Sequence, residues 1–206
     1  MISSEKLLGV VLAGGLSRRM DGPEKSLLNL KGKPLISRVL DRLSPQVANL
    51  LVNANGDGSR FGFLDLPVQP DTIDGHVGPL AGVLAGMAWA KQNRPDLSHV
   101  LTVAADTPFF PEDYARQMLA EAHSKQVEIV IAASAGRNHP VFSLWPVSLH
   151  DALHTFLADE ENRKVMLFVE RHRYSLAEFT FETTDPFFNV NTPQDLHRAE
   201  TILESA

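Results

Sequence analysis

Apolar residues recur along this chain at two spacings, and their alternation is the first thing the sequence establishes. Leu7-Leu8-Gly9-Val10-Val11-Leu12 is almost uninterrupted. Such a run is expected of a strand covered on both faces, and the Gly14-Gly15 pair after it argues against a short buried helix. A second strand is predicted over 47–52, stopped by Asn53-Ala54-Asn55-Gly56, and a third over 100–104, followed by Asp106-Thr107-Pro108. A short extended piece covers 67–69, before a turn at Pro70-Asp71, and further strands are predicted over 129–132, 141–145 and 174–181.

Between these runs the apolar spacing becomes helical. Pro34 opens a helix with Leu35, Ile36, Val39, Leu40 and Leu43 on one face, and Pro45 ends it. Residues 80–90 carry a helical face despite Gly82 and Gly86. Further helices are predicted from Pro111 to about His123, over 147–157 and over 163–171. The last helix has Thr192 as N-cap, Pro193 at its first position and Asp195 two further on, and runs to about Leu203. Stretches 13–22 and 74–79 are loops.

Strands alternating with helices predict an α/β fold in three layers, with a mostly parallel sheet covered on both faces. A length of 206 residues suits one domain spanning 1–206. Ligands of such sheets sit outside the carboxyl ends of the strands. The polar clusters at 14–25, 53–55 and 106–107 all fall at that edge, and their convergence is the main pointer to function.

Composition narrows the classes. The charged share is 21% against 44% hydrophobic, as in a soluble globular chain. The net charge of -6 is the opposite of a nucleic-acid binder's basic footprint. The absence of cysteine excludes disulfides, thiolate metal sites and cysteine nucleophiles. The apolar run at 7–13 is far shorter than the roughly 18 residues of a membrane span. No membrane partner and a cytoplasmic location are therefore expected.

The candidate chemistry lies in the loops. In Leu12-Ala13-Gly14-Gly15-Leu16-Ser17-Arg18-Arg19-Met20, glycines let backbone N–H groups approach a phosphate. Arg19 supplies planar charged donors and Lys25 a compact charge. A Gly-Gly turn after a buried strand is equally the pattern of a purely structural turn. The loop is neither a P-loop nor a dinucleotide fingerprint. Asp106, at the end of an apolar strand, suits Mg2+, which takes few protein ligands and several phosphate or water oxygens; it also suits a cap on the turn before Pro108. Asn53 and Asp71 can bind base or ribose edges, or serve as ordinary turn residues. His139-Pro140 and Asn189-Val190-Asn191-Thr192 either line a second pocket or satisfy loop backbone groups. No histidine has metal-ligand spacing, and no Ser-His-Asp arrangement stands out.

Taken together, these segments resemble the molybdenum cofactor guanylyltransferases, a family of Rossmann-like nucleotidyltransferases. The resemblance rests on Leu12-Ala13-Gly14-Gly15-Leu16-Ser17-Arg18-Arg19-Met20, Lys25 and Leu28-Asn29-Leu30-Lys31-Gly32-Lys33-Pro34-Leu35. It continues through Val52-Asn53-Ala54-Asn55, Pro70-Asp71, Gly78-Pro79-Leu80-Ala81-Gly82, Asp106-Thr107-Pro108, His139-Pro140 and Asn189-Val190-Asn191-Thr192-Pro193, in order over almost the whole chain. Two departures stand inside the opening motif: Asp21 where the family usually has Gly, and Glu24 where it usually has Asp.

The resemblance implies transfer of GMP from GTP to molybdenum-molybdopterin, with release of pyrophosphate. Leu12, Ala13, Gly14 and Lys25 would hold the nucleotide, and Asn53 and Asp71 its guanosine part. Asp106 would contact GTP and ligate Mg2+, Arg19 and Lys25 would stabilise the departing pyrophosphate, and Asn189 and Asn191 would serve the pterin side. The implied partners are GTP, molybdenum-molybdopterin and the proteins that load molybdopterin or deliver product to molybdoenzymes, with the chain acting as a monomer. The alternatives are a cytidylyltransferase or other small-molecule nucleotidyltransferase of this fold, or a non-catalytic nucleotide-binding relative. Ala13-Gly14-Gly15 and Asn189-Val190-Asn191 favour guanine over cytosine.

Overall fold

In the computed structural model, residues 2–14, 25–73, 78–158 and 164–205 are described. The strand β1 (Leu7–Leu12) lies inside the sheet because both its faces are apolar. Leu7 and Val11 enter one core cluster, while Leu8 and Val10 enter the other. It pairs in parallel with β4 (Asn49–Asn53) on one side and with β6 (His99–Ala104) on the other. The chain thus leaves β1 first toward one edge and later returns to its opposite side. That reversal opens a crevice at the carboxyl ends of β1, β4 and β6.

The seven-stranded sheet is completed by β5 (Val68–Gln69), β7 (Ile129–Ser134), β8 (Arg137–Pro146) and β9 (Tyr174–Glu178), in the order β5-β4-β1-β6-β8-β7-β9. β8 runs antiparallel to both neighbours; every other pairing in the sheet is parallel. The expected mostly parallel, three-layer α/β architecture is therefore present. One face is covered by α1 (Leu35–Leu43) and α3 (Tyr114–Lys125), the other by α2 (Pro79–Asn93), α4 (His150–Ala158) and α5 (Val165–Val169).

Several boundaries differ from the sequence expectation for physical reasons. Pro34 is not the first helical residue: it closes a two-stranded hairpin, β2 (Asn29–Leu30) and β3 (Lys33–Pro34), and caps α1 from an extended conformation. Lys31 and Gly32 both have positive φ, as a tight hairpin turn requires. β8 begins at Arg137 and not at 141. Its pairing with β7 shifts register between Ile131 and Ala132, and the paired residues of β8 jump from His139 to Ser143. Pro140, which has no N–H to donate, falls in that irregular stretch. Pro111 precedes α3 by one turn, and the 147–157 helix divides into a 3-10 turn, Val147–Leu149, and α4.

The final helix, α6 (Pro193–Glu204), forms as its sequence requires. Thr192 accepts from the Asp195 amide, while the Asp195 carboxylate accepts from the Thr192 amide. The helix packs through Ala199, Leu196 and Leu203 against Leu30 and Leu35. It thereby brings the preceding 189–192 segment to the carboxyl edge of the sheet, where the Val190 amide donates to the Asp106 carbonyl at 2.9 Å.

Gly82 and Gly86 are where α2 approaches the sheet. A methyl at Gly86 would lie 2.7 Å from Val10 Cγ2. One at Gly82 would lie 2.5 Å from Leu12 Cδ2 and closer still to Asn53 Oδ1. Backbone lies over side chain here, so overpacking of about 1–3 kcal/mol is expected for Gly82→Ala. Urea denaturation should show that loss. Gly62→Ala, where nothing stands within 4 Å, should stay near wild type; equal stability of the two variants would refute the close approach.

Candidate functional site

Three strand ends and one returning loop meet at the crevice. β1 delivers Leu12, Ala13 and Gly14; β4 delivers Asn53; β6 leads through Ala105 to Asp106. Backbone bonds lock these ends together: the Ala13 amide donates to the Asn53 carbonyl at 2.9 Å, and the Ala105 amide to the Leu12 carbonyl at 3.1 Å. Gly14 lies beside the carboxamides of Asn53 and Asn55, and is exposed.

Asp106 is the hub of one polar cluster. Its Oδ2 faces Lys25 Nζ at 2.5 Å, with about a fifth of each side chain accessible. Its Oδ1 accepts from Thr107 Oγ1 and from Asn189 Nδ2, both at 3.2 Å. Lys25 donates in addition to Asn191 Oδ1. Lys25, Asp106, Asn189 and Asn191, separated by up to 166 positions in sequence, are thus brought together.

The 189–192 segment is held in turn by the cap of α6. Asp195 Oδ2 accepts from the amides of Asn191 and Thr192 and from the Thr192 hydroxyl, at 2.9 to 3.0 Å. Burial acts to raise the Asp195 pKa, but these hydrogen bonds and the Lys25 charge outweigh it and hold it below the usual value.

A second cluster forms beside the first. Asn53, almost wholly buried, donates from Nδ2 to Asp71 Oδ1 at 3.0 Å and to the Gln69 carbonyl at 3.1 Å. Asn55 closes a two-bond clasp on Asp71: its Nδ2 donates to Asp71 Oδ2 at 2.7 Å, and its Oδ1 accepts from the Asp71 amide at 2.8 Å. The sequence reading singled out Asn53 and Asp71 but not Asn55. Its signal was available: in extended chain, residues two apart project to one side, so Asn-x-Asn after a strand presents two carboxamides together.

His139 neither caps loop backbone nor stands free. Its Nε2 shares a 2.7 Å hydrogen bond with Ser134 Oγ, which donates to Asp185 Oδ1 at 3.0 Å, and its ring stacks on Phe187 at 4.5 Å. Arg19, Asp21 and Glu24 lie outside the described residues, so the roles expected of the loop's arginine and its two departures have no geometry here.

Residues 9–174 match the family described as the MobA-like NTP transferase domain. The molybdenum cofactor guanylyltransferase of Mesorhizobium japonicum is 47% identical over 202 residues, covering 97% of each chain. The chain belongs to the molybdenum cofactor guanylyltransferase family. The enzyme of that name from Rhodopseudomonas palustris is also 47% identical, over 94% of this chain and 92% of its own. Among solved structures, molybdopterin-guanine dinucleotide biosynthesis protein A from Archaeoglobus fulgidus superimposes with a TM-score of 0.73 at 26% identity, covering 97% of this chain and all of its own. No helix among the described residues is long and apolar enough to cross a membrane.

Burial pushes the His139 pKa below its ordinary value of 6.5, and the nearby Asp185 carboxylate opposes that shift. An NMR titration should therefore find His139 protonating below pH 6.5, and lower still in Asp185→Asn, which removes the charge that favours imidazolium. Because the folded pKa is depressed, the stability tied to neutral His139 is complete above pH 6.5. It declines as pH falls through that value, since the unfolded chain binds the proton first. A higher His139 pKa in Asp185→Asn would contradict this account of the pocket.

Proposed function

We propose that this chain transfers GMP from GTP to the terminal phosphate of molybdenum-molybdopterin, forming the guanine dinucleotide cofactor and pyrophosphate. The observation that carries the reading is the Lys25–Asp106 pair at the switch edge of the sheet, in a chain of this family. A phosphate oxygen of the pterin attacks the α-phosphorus in line, and the bond to the β-phosphate oxygen breaks with its electron pair leaving on pyrophosphate. Two anions must meet, so the protein's work is positioning and charge compensation.

Each residue has a part in that work. The backbone of Leu12, Ala13 and Gly14 lines the nucleotide, beside the carboxamides of Asn53 and Asn55. Asn53 and Asp71 receive the guanosine part. Lys25, with Arg19, stabilises charge on the departing pyrophosphate. Asn189 and Asn191 face the pterin side, one amide away from Asp106 and Lys25. Asp106 is the residue that would hold Mg2+. A single carboxylate that is still about one-fifth accessible suits an ion that takes its remaining oxygens from phosphate and water. When bound, Mg2+ supplies neutralisation of phosphate charge.

Lys25 satisfies that same Asp106 carboxylate. On nucleotide binding the Lys25 amine would turn to phosphate oxygens, which would leave the Asp106 carboxylate free to hold Mg2+. The protein acts as a monomer in the cytoplasm, receiving loaded molybdopterin and passing product toward molybdoenzymes.

Pyrophosphate release with GTP, Mg2+ and loaded molybdopterin tests the reading. Asp106→Ala should reduce it by at least about 100-fold, the scale on which one electrostatic stabiliser acts. Wild-type rates in that variant would contradict the assignment. GTP with Mg2+ should raise the melting temperature more than CTP, ATP or UTP; selective stabilisation by CTP would overturn guanine as the base. No guanylylated protein should form with labelled GTP, because the phosphate acceptor attacks directly.

A further inference from the structure

The clasp between Asn55 and Asp71 has a consequence for base choice. A carboxylate offers about four lone-pair positions, two on each oxygen. In Asp71, the Asn53 amide occupies one on Oδ1 and the Asn55 amide one on Oδ2. Each oxygen keeps capacity for a further donor, so the carboxylate can offer two adjacent acceptors while its two internal donors hold it. Asn55 also fixes the backbone of that residue by accepting from the Asp71 amide. Asp71 therefore cannot turn about its side-chain bonds without breaking bonds at both carboxylate oxygens.

Two adjacent acceptors select among the bases by elementary chemistry. Guanine alone presents two neighbouring donors on its pairing edge, the ring N1–H and the exocyclic amino group. Adenine and cytosine place a ring acceptor beside their amino donor, and uracil flanks its N3–H with two carbonyls. Each of those would set an acceptor against a carboxylate oxygen, where nothing satisfies it and like partial charges repel.

We propose that Asn55 is a positioning residue for nucleotide selection: by clasping Asp71 it holds the carboxylate in the orientation that accepts both N1–H and the amino group of guanine. The proposal rests on the assignment of Asp71 to the guanosine part of GTP. Asn55 itself is exposed and makes no core contact, so its removal leaves the packing of β4 intact. Asn53 cannot substitute for it. Its carboxamide is buried under Gly82 and already divided between Asp71 and the Gln69 carbonyl.

The test is calorimetric binding of GTP and of ITP, which lacks the exocyclic amino group, both with Mg2+. Wild type should prefer GTP by on the order of 10- to 100-fold, the worth of one hydrogen bond to a charged group. Asn55→Ala should weaken GTP about tenfold and ITP much less, so that the preference collapses. Asn55→Asp, which turns a carboxylate toward Asp71, should collapse it further. A loss of general loop structure would weaken both nucleotides alike and leave their ratio unchanged. A wild-type GTP/ITP ratio in both variants overturns the proposal. Asp71→Asn separates the two layers. If it also keeps the ratio, the assignment of Asp71 to the base is wrong; if it abolishes the ratio while the Asn55 variants retain it, only the positioning role fails.

Discussion

The contact on which the rest of the site depends is the ion pair of Lys25 and Asp106. Held at 2.5 Å and about one-fifth accessible, it is neither a surface pair nor a dry one. Pairs of this kind contribute on the order of 1 kcal/mol or less when water still reaches them. The fold therefore does not need it for stability; the fold exists around it. Asp106 follows the end of β6, Lys25 comes from the segment after β1, and Asn189 and Asn191 precede the cap of α6. Three distant parts of the chain converge there, and the pair inherits its geometry from them. The Lys25 amine offsets the negative charge of the Asp106 carboxylate at this edge of the sheet. The overall charge of -6 would oppose a triphosphate ligand.

The cluster of Asn53, Asn55 and Asp71 is built by a different means. Close helix approach at Gly82 presses Asn53 into the end of β4, and the Asn53 carboxamide in turn reaches Asp71 beyond β5. The strand end before Gly14 and the Asn53–Asp71 cluster are linked through the Ala13 amide and the Asn53 carbonyl. Positioning of this kind matters more than any single contact when the reaction asks for in-line geometry and charge compensation.

Much of this was legible in the sequence, for identifiable reasons. β1 and β6 show as apolar runs because both faces are covered, and α6 shows through Thr192, Pro193 and Asp195 because capping is local chemistry. The antiparallel course of β8 was not legible: Arg137-Asn138-His139-Pro140 is polar and contains a proline, which only a register shift accommodates. The β2–β3 hairpin was hidden because its strands are two residues each, too short for periodicity. At the site, Lys25, Asn53, Asp71 and Asp106 could be singled out because each ends or follows a strand. Their partnerships could not, since the bond from Lys25 to Asn191 depends on where a helix at the far end of the chain packs. Asn55 stands in the 53–55 polar cluster of the sequence, but its bonds to Asp71 depend on a fold that brings residues sixteen positions apart together.

A crystal structure with GTP and Mg2+ tests the central claim most directly. The account predicts the metal on the Asp106 carboxylate, Lys25 moved from Asp106 to phosphate oxygens, and the guanine pairing edge on Asp71. An unbroken Lys25–Asp106 pair beneath a bound nucleotide, with the metal held by other residues, would contradict it.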